Sequence, residues 1–169
     1  MLDFSRFERM PCDEKYSIRS KDEFVKGLQW SPDGSCLLAA TESNRLVLYD
    51  SNVTMVDENR YYVNENATTS TSNPESFGGS GLVESLNVSA GESVYDFKWY
   101  PYMNSQNPTT SCYITSCRDH PIHLWDAKMG DVRCSYRGFN HLDELEAANS
   151  ISFNLTGDRI YAGYKSMIR

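Results

Sequence analysis

The stretch that most constrains the fold runs from Cys117 to Asp126 and ends in the dipeptide Trp-Asp. Its pattern predicts the end of one strand, a tight polar turn and a second short strand. Asp119 suits the turn, because a short carboxylate can accept hydrogen bonds from main-chain amides two residues on. Pro121 has no N–H and suits the first residue of a strand. Successive strand residues face opposite sides, and both sides carry large side chains here, so the strand is expected to pack between two neighbouring sheets.

The same pattern occurs at two further places in the chain. Residues 25–50 predict three strands around the turn Ser31-Pro32-Asp33-Gly34, and they end in Tyr49-Asp50. Residues 94–137 predict a full set of four strands, and residues 149–169 begin a third copy. Proline at the second position of a turn and glycine at the fourth favour a tight reversal of the chain.

The spacing of the copies indicates a repeat protein. Trp30 and Trp99 are 69 residues apart, or 44 residues apart when the insertion at 57–81 is removed. Repeats of about 40–45 residues are typical of propeller blades, each a four-stranded sheet. The chain is therefore predicted to be all-β, a partial WD-repeat β-propeller of about two and a half four-stranded blades.

The predicted organisation follows the chain in order. Residues 57–81 hold almost nothing to bury and are predicted to be a disordered insertion. The third copy stops inside a strand, so residues 1–169 alone are expected to be unstable or to self-associate. The segments are 1–23, an N-terminal segment with a possible strand; 24–56 and 82–90, the first blade; 91–138, the second blade; 139–148, the inter-blade connection; and 149–169, an incomplete third blade.

Composition limits the possible compartments and partners. The net charge is −7 and the pI about 4.9, which argues against a nucleic-acid partner. Residues 57–93 alone carry −5 of that charge, so a local basic patch is still possible elsewhere. No apolar run is long enough to span a membrane, the N-terminus is not a secretory signal, and five cysteines without a Cys-x-x-Cys motif favour a reducing compartment. No membrane partner, cofactor or small-molecule substrate is expected.

Catalysis and metal binding are not favoured by the residues near the Trp-Asp strand. Ser116, Asp119 and His120 include the residue types of a hydrolase triad, but triads are assembled by tertiary geometry and rarely from sequence neighbours. His120 and His123 would need further ligands to hold a metal ion. No enzymatic activity is predicted.

Several motifs resemble one family, the telomerase Cajal body proteins. The resemblance rests on Phe24–Cys36, Val94–Tyr100, His120–Asp126 and the segment Asn140-His141-Leu142-Asp143-Glu144-Leu145. It implies a nuclear, non-enzymatic RNA-binding propeller of the Cajal body. Such a protein would recognise small Cajal body RNAs and the telomerase ribonucleoprotein, bring these particles to Cajal bodies and support telomere maintenance. The alternative is a generic WD-repeat scaffold that binds other proteins through its propeller surface.

The candidate RNA-binding residues are cationic or aromatic side chains near strand ends. Arg118 is the strongest candidate, because arginine can pair with phosphate and stack on a base. His120 and Lys26 are the other two candidates.

A second set of residues is predicted to anchor the blades and their connections. Asn140 is expected to cap a helical turn that packs Leu142 and Leu145 inward, and His141 is expected to join a blade's hydrogen-bond network. The full set of predicted structural anchors is Trp30, Trp99, Asp119, Trp125, Asp126 and His141.

Overall fold

The computed structural model describes residues 24–51, 53–55, 61–63, 82–140 and 142–169. All regular structure in these residues is β, and none of it is a helix that could cross a membrane. The strands are β1 Val25–Trp30, β2 Cys36–Thr41, β3 Arg45–Ser51, β4 Val53–Met55, β5 Tyr61–Val63, β6 Leu82–Ser89, β7 Val94–Trp99, β8 Cys112–Cys117, β9 Ile122–Asp126, β10 Val132–Tyr136, β11 Ser150–Phe153 and β12 Ile160–Gly163.

The strands form two four-stranded antiparallel sheets and the start of a third. The first blade has the order β1-β2-β3-β6 and the second the order β7-β8-β9-β10. In the third blade β11 pairs with β12, and an isolated bridge joins Gly163 to Ile168. This arrangement confirms the prediction of an all-β, partial propeller with four-stranded blades.

The turn between β1 and β2 follows from its sequence. Gly34 adopts a positive φ of 72°, a conformation that is strained for residues with a Cβ atom. Asp33 Oδ1 accepts hydrogen bonds from the Ser31 hydroxyl (2.6 Å) and the Ser35 amide (3.1 Å). Its other oxygen, Oδ2, accepts one from the main-chain amide of Ser105 at 2.7 Å, and this bond joins the turn to the second blade.

One short strand falls within the predicted disordered insertion. Strand β5 lies inside the segment 57–81 and pairs with β4. Tyrosine and valine are favourable strand residues, so Tyr61-Tyr62-Val63 can pair despite the polar sequence that follows. The rest of 57–81, like the N-terminal segment 1–23, lies outside the described residues.

The core lies between the blades. One apolar cluster joins the first two blades, and a second joins the second blade to the third. Every residue of β8 is buried, because this strand sits inside a sheet that is covered on both faces. The first cluster includes Leu38, Leu46, Val94, Trp99, Tyr113 and Trp125, and the second includes Ile114, Ile122, Ala148, Ile151 and Ala162.

The Trp-Asp strand, β9, contributes side chains to both apolar clusters, as the large residues on its two faces predict. Trp125 is 7% exposed, packs nearly parallel to Tyr113 at 6.4 Å between ring centroids, and donates a 2.8 Å hydrogen bond from Nε1 to Thr115 Oγ1. Ile122, on the other face, belongs to the cluster that contacts the third blade.

Trp30, one of the predicted anchors, lies on the exposed face of β1. It is 52% exposed, and Leu28 on the same face is 60% exposed. The opposite face of β1 is the one that meets the second blade, since Gly27 and Gln29 contact Phe97 and Trp99 there. Trp30 therefore lies on the face that points away from the described core.

Candidate nucleic-acid interface

The three candidate RNA-binding residues lie at the same end of the first two blades. Lys26 is close to the start of β1, and Arg118 and His120 follow the end of β8. The connection from β6 to β7 runs between them. Strands β1 and β7 both begin at this end of their sheets and β8 ends here, because neighbouring strands are antiparallel.

Ser93 brings the candidates together. Its hydroxyl accepts a 3.0 Å hydrogen bond from Lys26 Nζ, and its main-chain oxygen accepts a 2.9 Å bond from the Arg118 amide. The ring of His120 lies 3.4 Å from the position that a Cβ atom at Gly91 would occupy. The connection between the blades thus holds all three residues in one surface, the Ser93 surface, defined as Lys26, Gly91, Ser93, Arg118 and His120.

The two cations of this surface differ in availability. Lys26 Nζ lies 2.7 Å from Glu42 Oε2, so this ammonium is already paired. Arg118 Nε lies 3.9 Å from Asp119 Oδ2, and its side chain is 63% exposed. A long, solvent-exposed ion pair of this kind contributes little to stability. The guanidinium of Arg118 can therefore turn to a phosphate or a base.

A row of rings connects the Ser93 surface to the core. His120 packs edge-on against His123 at 6.1 Å between centroids, and His123 packs edge-on against Trp125 at 5.9 Å. His123 Nδ1 is 2.8 Å from the Ser135 hydroxyl. Burial, together with the nearby His120, lowers the pKa of His123 below its ordinary value. His123 therefore favours the neutral form, and its ring packs against the half-buried ring of His120.

Asp119 does not form the expected turn contacts. The residue adopts a positive φ of 55°, its carboxylate is 86% exposed, and the contact it makes within the described residues is the long one to Arg118. The prediction of a carboxylate anchor is therefore wrong for this side chain. The main chain shapes the turn instead, with the His120 amide bonded to the oxygen of Cys117.

Asp126 provides a carboxylate anchor at the other end of the blade. Its Oδ1 accepts hydrogen bonds from the amides of Lys128 (2.7 Å) and Met129 (2.9 Å), and its Oδ2 accepts one from Arg133 Nη2 at 2.7 Å. Burial alone would raise the pKa of Asp126, but the hydrogen bonds from Met129, Arg133 and Lys128 outweigh it and lower this pKa below its ordinary value.

Asp96 and Ser116 join the second blade to the third. Asp96 Oδ2 accepts a 2.9 Å hydrogen bond from the amide of Ile151, while its Oδ1 lies 2.8 Å from Lys98 Nζ. The buried Ser116 hydroxyl donates to the main-chain oxygen of Ala148. Ser116 is thus engaged in a structural hydrogen bond. Across the described ranges, no three side chains with metal-ligating groups come together.

The inter-blade connection is shaped by Asn140. Its Oδ1 accepts hydrogen bonds from the amides of Leu142 (2.8 Å) and Glu144 (3.0 Å). This is a capping interaction, but the segment forms a tight turn instead of a helix, with Leu142 64% and Leu145 41% exposed. The expected inward packing of these leucines is therefore wrong. His141 lies outside the described residues.

Sequence reasoning missed Ser93 as part of this surface and Glu42 as the ion-pair partner of Lys26. Ser93 is 67 positions from Lys26 along the chain, and a serine in a polar connection carries no signal of its own. The only usable signal was the repeat itself, which places the start of every first strand beside the end of the neighbouring blade's second strand.

Two four-stranded sheets joined face to face, with third strands that carry Tyr-Asp and Trp-Asp near their ends, define a WD-repeat β-propeller protein. No family model matches the chain. It is 36% identical over 155 residues to rat "Telomerase Cajal body protein 1", an alignment that covers 92% of this chain and 26% of that protein. The human protein of the same name is 35% identical over 148 residues, covering 88% and 24%.

A similar match extends to insects. The Drosophila melanogaster "Telomerase Cajal body protein 1 homolog" is 35% identical over 153 residues, with 90% of this chain and 26% of that protein covered. The chain belongs to the telomerase Cajal body protein family. It spans about a quarter of the length of these curated relatives.

Proposed function

We propose that this chain is part of a nuclear RNA-binding protein that recognises small Cajal body RNAs and the RNA of telomerase. It would bring these ribonucleoproteins to Cajal bodies and thereby support telomere maintenance. Its role is binding and not catalysis. The observation that carries the proposal is the convergence of Arg118, His120 and Lys26 on the connection that holds Gly91 and Ser93, at one end of two adjacent blades.

The chemistry of the Ser93 surface suits a single-stranded RNA loop. Such loops are bound by cations that pair with phosphates and by flat side chains that stack on unpaired bases. Arg118 offers an exposed guanidinium and His120 a ring supported by His123. Of the net charge of −7, residues 57–81 account for −3, so a large part of the acidic charge belongs to the predicted insertion and not to this surface.

RNA recovered from nuclear extract tests the proposal. Tagged protein at its full cellular length should enrich small Cajal body RNAs and telomerase RNA over other small nuclear RNAs. The variant Arg118→Ala should lose most of this enrichment without loss of folding. Arg159→Ala is a matched control, because Arg159 is an exposed arginine beside the turn at the opposite end of the third blade. Equal enrichment by Arg118→Ala and the unchanged protein would contradict the assignment of this surface.

A protein-binding scaffold is the second candidate, and one observation favours it. The connection between the second and third blades exposes Phe139 (44%), Leu142 (64%) and Leu145 (41%) together. Exposed apolar side chains that lie close together are typical of protein interaction sites. If the chain is a protein-binding scaffold, Leu142→Ser should release bound proteins and leave the RNA yield unchanged. A loss of RNA with no loss of protein would exclude the scaffold function.

A further inference from the structure

A cleft of about 340 Å³ separates the two strands β1 and β7, next to the Ser93 surface. Lys26 belongs both to this surface and to the lining of the cleft. The remaining lining is mostly polar and includes Gln29 and Tyr95. The cleft is therefore continuous with the place where Arg118 and His120 would hold RNA.

The side chain of Gln29 leaves one hydrogen bond unmade in this cleft. Its Oε1 is buried and has no hydrogen-bond partner in the described part of the chain. The main-chain oxygen of the same residue is already engaged by Trp99 Nε1 at 3.0 Å. A buried acceptor without a partner destabilises a protein, so an N–H group of a ligand in this cleft would gain a hydrogen-bond acceptor at Gln29.

Tyr95 and Lys26 show which kind of donor would fit. The Tyr95 side chain is 46% exposed and lines the same cleft, so its ring is open to contact from a flat group. Proteins that read single-stranded RNA combine an aromatic ring for the face of a base with a polar group for its edge. A lysine at the mouth of such a pocket lies where the phosphate of the same nucleotide would pass.

We infer that this cleft receives one unstacked base of the bound single-stranded RNA. Gln29 Oε1 accepts a hydrogen bond from an N–H on the edge of that base, and the Tyr95 ring contacts its face. Lys26, which is paired with Glu42, lines the cleft beside the adjoining phosphate. The inference rests on the proposed function, since it specifies how one nucleotide of the same RNA is held.

RNA binding with single abasic nucleotides tests the inference. The protein at its full cellular length is titrated with the loop hairpin of a small Cajal body RNA, in which each loop nucleotide in turn is made abasic. Gln29→Met keeps the size of the side chain and removes the acceptor, and it should weaken binding about fivefold. At one loop position the abasic RNA should bind the unchanged protein more weakly. In Gln29→Met the loss at that position should be about fivefold smaller, because this variant has already lost the hydrogen bond and keeps only the Tyr95 contact.

The controls separate this inference from the proposed function. Gln106→Met removes the same amide from an exposed residue at the opposite end of the blades and should leave RNA affinity unchanged. Tyr95→Leu provides a second variant if Gln29→Met fails to fold, and it should weaken binding roughly tenfold through lost stacking. If every abasic position behaves alike in the Gln29→Met and unchanged proteins, the inference is overturned. The proposed function still stands in that case if Arg118→Ala weakens binding, and it fails as well if no hairpin binds.

Discussion

The indole nitrogen of Trp99 donates a 3.0 Å hydrogen bond to the main-chain oxygen of Gln29, across the boundary between the first two blades. Trp99 is 4% exposed and packs edge-on against Tyr113 at 5.5 Å. One side chain thus fills the interface between the sheets and also satisfies a main-chain acceptor in β1. The relative position of the two blades, and with it the Ser93 surface, depends on this contact.

Removing the donor should weaken the interface. Trp99→Phe keeps an aromatic ring but leaves the Gln29 oxygen without its partner, and it should lower the free energy of unfolding by about 1–3 kcal/mol. Urea denaturation of both proteins measures the change. Trp30→Phe is the matched control, because Trp30 is 52% exposed and should change stability by less than about 0.5 kcal/mol. Equal effects of the two substitutions would contradict the role of Trp99.

Trp125 should be a larger determinant of stability. Trp125→Ala removes a buried ring that packs on Tyr113 and leaves Thr115 without its indole donor. We expect a loss of about 3–5 kcal/mol in the free energy of unfolding, chiefly from the cavity. An unchanged unfolding midpoint in the full-length protein would show that this residue is not a core anchor.

Arg118 should affect RNA affinity without affecting stability. A guanidinium that contacts a phosphate releases a bound counterion, so Arg118→Ala should reduce the salt dependence of binding by about one unit in the log–log slope. Titrations at several salt concentrations measure the slope, and thermal unfolding checks the fold. The same slope for both proteins would place Arg118 away from the RNA backbone.

Asp33 should make stability depend on pH at the acid end. Burial by itself would raise the pKa of Asp33, but hydrogen bonds from Ser31, Ser105 and Ser35 outweigh it and hold the pKa well below its ordinary value. A carboxyl group whose pKa is lower in the folded state stabilises the fold above its unfolded pKa of about 3.9, and this stabilisation is lost as the pH falls toward the folded pKa.

The variant Asp33→Asn measures that contribution. At pH 7 it should be less stable than the unchanged protein by about 1 kcal/mol, a modest value because the group is mostly exposed to solvent. The difference should shrink as the pH falls below about 4, where this carboxyl group becomes protonated in the unfolded chain while the folded protein still holds it charged. A difference that stays constant between pH 7 and pH 3 would argue against the carboxylate as its source.

The sequence predicts local features well, and it predicts less where distant residues decide the outcome. The turn at Ser31–Gly34 and the two-faced Trp-Asp strand depend on a few neighbouring residues, and both are present in the structure. The exposure of Trp30 depends on which face of β1 meets another blade, and no local pattern contains that information. Ser93 became part of the candidate site only through partners on other strands.

The last prediction concerns the long connection between β3 and β6. These strands pair directly up to Ser51 and Leu82, so the two ends of residues 52–81 lie side by side. Within that connection β4 and β5 form a sheet with each other and not with the blades. Replacing residues 52–81 with a short Gly-Ser turn should therefore preserve both folding and RNA binding, because each doubling of loop length changes closure entropy by only about 0.6 kcal/mol.

Unfolding curves and hairpin titrations of the shortened protein provide the test. The deletion removes a net acidic segment, so any change in RNA affinity should be a small increase that disappears at high salt. A matched control replaces the β8–β9 turn, residues 118–121, with the same Gly-Ser sequence. This control should lose RNA affinity, because it removes Arg118 and His120 while keeping the strands. A shortened protein that no longer folds would show that the connection contributes to the blade and is not a dispensable insertion.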